Sequence, residues 1–243
     1  MIIMTQKIHA GVMAVALAVG CTGGDGAPAA EPARNERRLA ALPARNGEDV
    51  RPSVLVLGTS LTAGLGVALE QAYPSLLQER ADSAGLAFRI VNAGVSGETS
   101  AAGLRRIDWL LRQPVAVMVL ELGANDGLRG LPVQQLEDNL QAIIDRTRAA
   151  HPDVVIVVAG MEAPPNLGRR YTNDFRDVYR SIAERNRARL IPFILEGVAA
   201  EEDLNQPDGI HPTPDGHRMI ATTVWNILEP VLDSLATSGG RTP

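Results

Sequence analysis

"SVLVLGTSL", residues 53–61, opens as a strand and ends as a turn. Four apolar residues, two of them β-branched, run into Gly58, Thr59 and Ser60. A short apolar run of this kind, bounded by a breaker, reads as a strand buried on both faces. Its serine stands at the tip. Ser60 either caps the following helix or serves as a nucleophile raised at the edge of a sheet.

Four further runs resemble the first: "FRIVNA" (88–93), "VAVMVLELG" (115–123), "VVIVVAG" (154–160) and "RLIPFIL" (189–195). Helical patterns fill the gaps, over 73–84, 100–112, 132–150, 174–187 and 215–235. In the third, Val133, Leu136, Leu140, Ile143 and Ile144 share one face. Pro74 falls early in the first, where a missing N–H costs little. Five strands joined by crossover helices predict a three-layer α/β/α sandwich around a flavodoxin-like, five-stranded parallel sheet of order 2-1-3-4-5. In such a sheet ligands bind beyond the carboxyl ends of the strands. Those ends carry Gly58-Thr59-Ser60, "NAGVSGETS" (92–100), "LGANDG" (122–127), "MEAPPNLGRRY" (161–171) and "QPDGIHPTPDGH" (206–217). Small, polar and titratable residues thus collect at one end.

The 243 residues carry a net charge of −5, which argues against a general nucleic-acid partner. The ends look different from the middle. Residues 10–19, "AGVMAVALAV", form an apolar run too short to span a membrane but suited to a signal peptide. It closes on "LAVGC", with the single cysteine at Cys21. The stretch resembles a bacterial lipobox, although Leu17 stands four places before the cysteine and Ala18 takes the usual leucine position. The resemblance implies lipid on Cys21 and anchoring in the cell envelope, facing the periplasm. Thr22, with no aspartate after the cysteine, points to the outer membrane. A lone thiol is also unusual in an exported chain. Residues 1–20 are therefore expected to be a lipoprotein signal, 21–51 a Gly, Ala, Pro, Glu and Arg-rich tether, 52–236 the folded domain and 237–243 a frayed tail.

A serine hydroxyl needs a base. His9 lies within the signal, and His151 precedes Pro152 at a helix end, where a solvated cap is expected. His211, in "DGIHP", has Asp208 three residues before it in a rigid turn, so the carboxylate can orient the imidazole. His217 has Asp215 nearby but is expected on a helix surface. Placement favours His211. For the tetrahedral oxyanion, the N–H of Ser60, the N–H of Gly94 and the amide of Asn125 are candidate donors. Leu128, with Leu131, and the loop residues Met161, Pro164 and Leu167 offer apolar walls for a substrate. Arg169 and Arg170 are solvated, paired with acids such as Asp174, or set for an anionic group. No metal constellation and no phosphate-binding lysine loop is present in the sequence, and no cofactor is expected.

Together "GTSL", Gly94 in "NAGVSGETS", "GAND" and "DGIH" resemble the four blocks of the SGNH (GDSL) hydrolase superfamily. "LELGANDGLRG" and "GRRY" are similar to its bacterial thioesterase I, lysophospholipase and arylesterase branch. The resemblance spans residues 53–234. It implies Ser60 as nucleophile, His211 as base, Asp208 as the orienting acid, and Ser60, Gly94 and Asn125 as the oxyanion hole. It also implies hydrolysis of small-molecule carboxylic esters, with acyl thioesters and lysophospholipids within range, and a monomer is expected. One position departs: the aspartate of Gly-Asp-Ser-Leu is Thr59, whose hydroxyl is expected to accept a hydrogen bond at the helix start. Two rival readings keep the fold. One is a carbohydrate O-acetylesterase with a smaller, more polar pocket. The other is a non-catalytic envelope lipoprotein.

Overall fold

The computed structural model describes residues 51–239. The signal, nearly all of the tether, Cys21 and the last four residues lie outside them. The strands are β1 (Ser53–Gly58), β2 (Arg89–Gly94), β3 (Val117–Glu121), β4 (Val155–Ala159) and β5 (Arg189–Ile191). All pair in parallel, in the order β2-β1-β3-β4-β5. The helices are α1 (Ser60–Ala63), α2 (Tyr73–Ser83), α3 (Ser100–Leu110), α4 (Ala124–Leu128), α5 (Val133–Ala150), α6 (Arg169–Asn186) and α7 (Pro214–Gly239).

The order explains the layers. The chain steps from β1 to β2 in one direction and from β2 to β3 in the other, so right-handed crossovers put their helices on opposite faces. Accordingly α2 packs with α7, while α3, α5 and α6 pack in sequence. Every residue of β1 and β3 is buried, as expected for strands covered on both faces. Burying so many Val, Leu and Ile side chains is the main stabilising term.

The differences from the sequence reading have local causes. β5 stops at Ile191 because Pro192 cannot donate to a ladder. The pairing resumes past the bend, where the Ile194 N–H donates to Gly160 O at 3.0 Å. α6 begins at Arg169, five residues before Asp174, and α7 runs to Gly239 rather than Leu235. α1 and α4 are additional helices of four and five residues. His217 is not on a helix surface. It is fully buried, accepts the Tyr73 N–H on Nδ1 at 3.3 Å and stacks on the Tyr73 ring. His151 is half-buried and holds Leu111 O through Nε2 at 3.1 Å, so it links α5 to the end of α3 instead of standing in solvent.

Candidate active site

β1 delivers Ser60 as the first residue of α1. The N-cap position belongs to Thr59, whose side chain makes no capping bond, so the helix-cap reading of Ser60 fails. Ser60 Oγ instead lies 2.9 Å from His211 Nε2. His211 Nδ1 lies 2.6 Å from Asp208 Oδ2. Asp208 Oδ1 accepts the N–H groups of Ile210 and His211, both at 3.0 Å. One carboxylate thus fixes both the imidazole and the turn that carries it. These bonds, the His211 ring first, hold the Asp208 carboxyl down at about 2. With Nδ1–H donating to Asp208, Nε2 presents a lone pair to the serine hydroxyl.

The His211 loop is held from both sides. The Gln206 N–H donates to His211 O at 2.7 Å, and Gln206 Nε2 donates to Leu65 O and Pro212 O at 2.8 and 2.9 Å. This side chain ties the turn after α1 to the turn bearing the histidine.

The three expected oxyanion donors stand on three neighbouring strand ends. Gly94 closes β2 opposite Gly58 of β1. A Cβ on Gly94 would stand 2.2 Å from Ala63 N, so only glycine lets α1 sit this close. The Gly94 N–H already donates to Asn92 Oδ1 at 2.9 Å. Asn125, on α4, donates one amide hydrogen to Glu98 O at 3.0 Å, and its second remains for a ligand. α4 starts after Gly123, whose φ of +119° suits glycine. A Cβ there would also meet the Tyr179 hydroxyl at 2.0 Å.

Three residues that sequence reasoning passed over build the frame. Asp126, buried next to Asn125, accepts the Ser100 N–H at 2.8 Å and the Ser100 hydroxyl at 2.6 Å. It locks α4 to the start of α3. Glu121, at the end of β3, is fully buried behind the Thr59-Ser60 turn. Its Oε2 accepts the Thr59 N–H at 2.9 Å and the Thr62 hydroxyl at 2.7 Å, and its Oε1 accepts the Thr59 hydroxyl at 3.0 Å. Thr62 continues the network to the Tyr73 hydroxyl at 2.7 Å. Burial pushes the Glu121 carboxyl up, and the three hydrogen bonds oppose it. Gly58 makes room, since a Cβ there would meet Glu121 Oε2 at 2.4 Å. Thr59 therefore donates to a carboxylate where an accepting role at the helix start was expected. An aspartate at 59 would set a second carboxylate against Glu121. The readable signal was a lone acid at the end of an all-apolar strand, which must find donors.

The expected substrate walls divide. Leu128 is 51% exposed. Pro164 and Leu167 are half-buried, and Leu167 lies against the turn at Gly130 that follows α4. Met161 does not line a wall. It is only 4% exposed because it follows β4 into the core. Arg170 meets Asp174 loosely, at 3.8 Å, in solvent. Among the described residues no group of three or more His, Cys, Asp and Glu is arranged to hold a metal ion.

Residues 56–219 match the GDSL-like Lipase/Acylhydrolase family. The chain belongs to that family. It is 41% identical to the esterase TesA of Pseudomonas aeruginosa over 181 residues, covering 74% of this chain and 89% of the relative. It is 37% identical to the thioesterase 1/protease 1/lysophospholipase L1 of Escherichia coli over 182 residues, covering 74% and 85%. Among solved structures, the psychrotrophic esterase EstA from Pseudoalteromonas sp., inhibited by monoethylphosphonate, matches with a TM-score of 0.70 at 35% identity. That match covers 74% of this chain and 98% of that one. In this family's terms Thr59 stands where the motif has aspartate.

Proposed function

We propose that the chain hydrolyses carboxylic esters through an acyl-enzyme on Ser60. His211 Nε2 takes the hydroxyl proton as Oγ attacks the ester carbonyl. The negative charge that forms on the carbonyl oxygen is met by the N–H of Ser60, the second amide hydrogen of Asn125, and the Gly94 N–H shared with or released from Asn92. His211 then gives the proton to the departing alkoxide. Water repeats the sequence on the acyl-enzyme and frees Ser60. Asp208 stays ionised throughout and stabilises the imidazolium formed in each half.

The observation that carries this reading is the continuous line Asp208–His211–Ser60, with contacts of 2.6 and 2.9 Å. The names of the relatives support esters, and they extend to thioesters and lysophospholipids. The test is steady-state turnover of p-nitrophenyl esters of rising acyl length by wild type, Ser60→Ala and His211→Ala. Ser60→Ala should be folded and inactive. His211→Ala should lose alkyl esters before activated aryl esters, because a good leaving group needs less protonation. Full turnover by folded Ser60→Ala refutes the reading.

The same proposal places the enzyme at the bacterial envelope, held by lipid on Cys21 at the outer membrane and facing the periplasm. The motif "LAVGC" supports it. A diacylglyceryl anchor holds stably where one chain would not. Mass spectrometry of the mature amino terminus tests it, and an unmodified terminus at another residue overturns it.

A further inference from the structure

A cavity of about 360 Å³ lies at the opposite end of the sheet from Ser60. It sits against the first residues of β1 and β2, where α3 has run out. Ser53 and Leu55 of β1 stand level with Arg89 and Val91 of β2, and strand alternation turns all four to one face. Leu55, Val91, Leu110 and Val115 give the space apolar walls. Beyond α3 the chain turns back towards β3 through Pro114, whose carbonyl accepts the Ser53 hydroxyl and fixes that turn. At the rise of a strand, about 20 Å separate Ser53 from Ser60.

Two arginines line this cavity, and neither is matched. Arg89 is half-buried, and its Nε–H is shut off from solvent with no acceptor among the described residues. Arg112 is exposed, and its guanidinium likewise has no hydrogen bond or ion pair among the described residues. The acids at hand are already engaged: Asp82 pairs with Arg51, and Asp108 with Arg146. No carboxylate of the described residues lines the cavity. A guanidinium does not shed its proton on burial, so a shielded Nε–H calls for an acceptor. Trp109 also lines the cavity and is 65% exposed, although a fold normally covers most of an indole.

These features select a ligand. The planar fork of arginine meets a carboxylate through two parallel hydrogen bonds. Apolar walls and an indole match a hydrocarbon body. A volume of about 360 Å³ stands at the small end of ligand sites, which run from roughly 300 to 1,000 Å³. We infer that this cavity binds a small apolar carboxylate, its head on Arg89 and Arg112 and its hydrocarbon between Trp109 and the strand residues Leu55 and Val91. The site is separate from Ser60 and goes beyond the ester-hydrolase reading.

The test uses the full-length chain in a Trp225→Phe background, which leaves Trp109 as the sole tryptophan. Titration with octanoate should change Trp109 fluorescence saturably. Octanol, which lacks the charge, and acetate, which lacks the body, should each bind at least about tenfold more weakly. One charge-assisted hydrogen bond, or a few buried methylenes, supplies that factor. Arg112 is exposed, so Arg112→Gln should keep the fold and weaken octanoate about tenfold or more. Arg89→Gln should do the same, and Arg89→Lys should restore only part, because an ammonium keeps the charge without the fork. Calorimetry on the chain with both tryptophans should rank ligands and variants in the same order. Equal affinity for octanoate and octanol would show that the guanidinium groups take no part, and overturns the site. So does octanoate binding unchanged by Arg112→Gln and Arg89→Gln, or a Trp109 signal with no saturable response. Should Arg89→Gln fail to fold, Arg112→Gln and the ligand series decide. A Trp109 signal that follows protein concentration instead assigns the ring to a second copy and overturns the site as well. None of these outcomes depends on ester turnover, so a failure of the ester-hydrolase reading leaves the test standing.

Discussion

Replacing Thr59 with valine keeps the side-chain shape and removes one hydroxyl. That hydroxyl is fully buried and donates to Glu121 Oε1 at 3.0 Å. The Thr59 N–H and the Thr62 hydroxyl still reach Oε2, so the carboxylate keeps two donors of three. A hydrogen bond to a charged group contributes about 1.5–3 kcal/mol, and the oxygen left bare cannot reach water. The expected loss is about 2 kcal/mol, or roughly 4–8 °C in Tm for a domain of this length. The pH dependence has a definite sign. The lost bond favoured the ionised carboxylate, so burial then raises the Glu121 carboxyl further. A group whose folded pKa is raised gives stability that is present at low pH and is lost as pH rises through that pKa. The penalty of Thr59→Val must therefore be largest in alkaline solution and shrink as Glu121 takes a proton. Urea denaturation near pH 8.5 and near pH 5 measures both values. Equal stability at the alkaline pH, or a larger loss at the acid one, would refute the claim that Thr59 supports a buried charge.

Asp208→Asn should fold normally and lose turnover on the order of 10³–10⁴-fold, because the amide cannot hold the His211 tautomer, and activity against pH reads this directly. Asn125→Ala should lower kcat about 10²–10³-fold with little change in KM, the signature of a donor that acts on the transition state. Burial, ahead of the nearby His211 charge, lowers the His217 imidazole from 6.5 to about 4. The His217 contribution to stability should be level above about pH 6.5, fall by about 3 kcal/mol as pH drops to about 4, and level again, because the unfolded chain takes the proton first. His217→Asn, measured by denaturation across that range, should lose this segment of the curve.

The sheet was legible because each strand is a short Val, Leu and Ile-rich run ending in small or polar residues. The meeting of the candidate site residues was legible because the topology sends all five strand ends to one edge. Asp208 and His211 are three residues apart, so their contact is local and shows in the sequence. Glu121 was hidden, since its donors come from Thr59 and Thr62, about sixty residues away in the chain. α1 and α4 are a turn or so long and carry no period to detect. His217 was misread from its acidic neighbour Asp215. Its true signal was the stripe His217, Ile220, Ala221, Val224 and Leu228, all fully buried at helical spacing. Met161 looked like a loop residue because the sequence does not show that the chain still faces inward two residues past β4.

The most direct test of the central claim is to trap the covalent intermediate. Wild type, Ser60→Ala and His211→Ala would be treated with a fluorophosphonate and with a slowly deacylating p-nitrophenyl ester, then digested and mapped by mass spectrometry. The account predicts a single adduct on Ser60 in wild type, none in Ser60→Ala, and slow labelling in His211→Ala, where the hydroxyl has lost its base. An adduct on any other residue, or ester turnover by Ser60→Ala with no adduct at all, would contradict it.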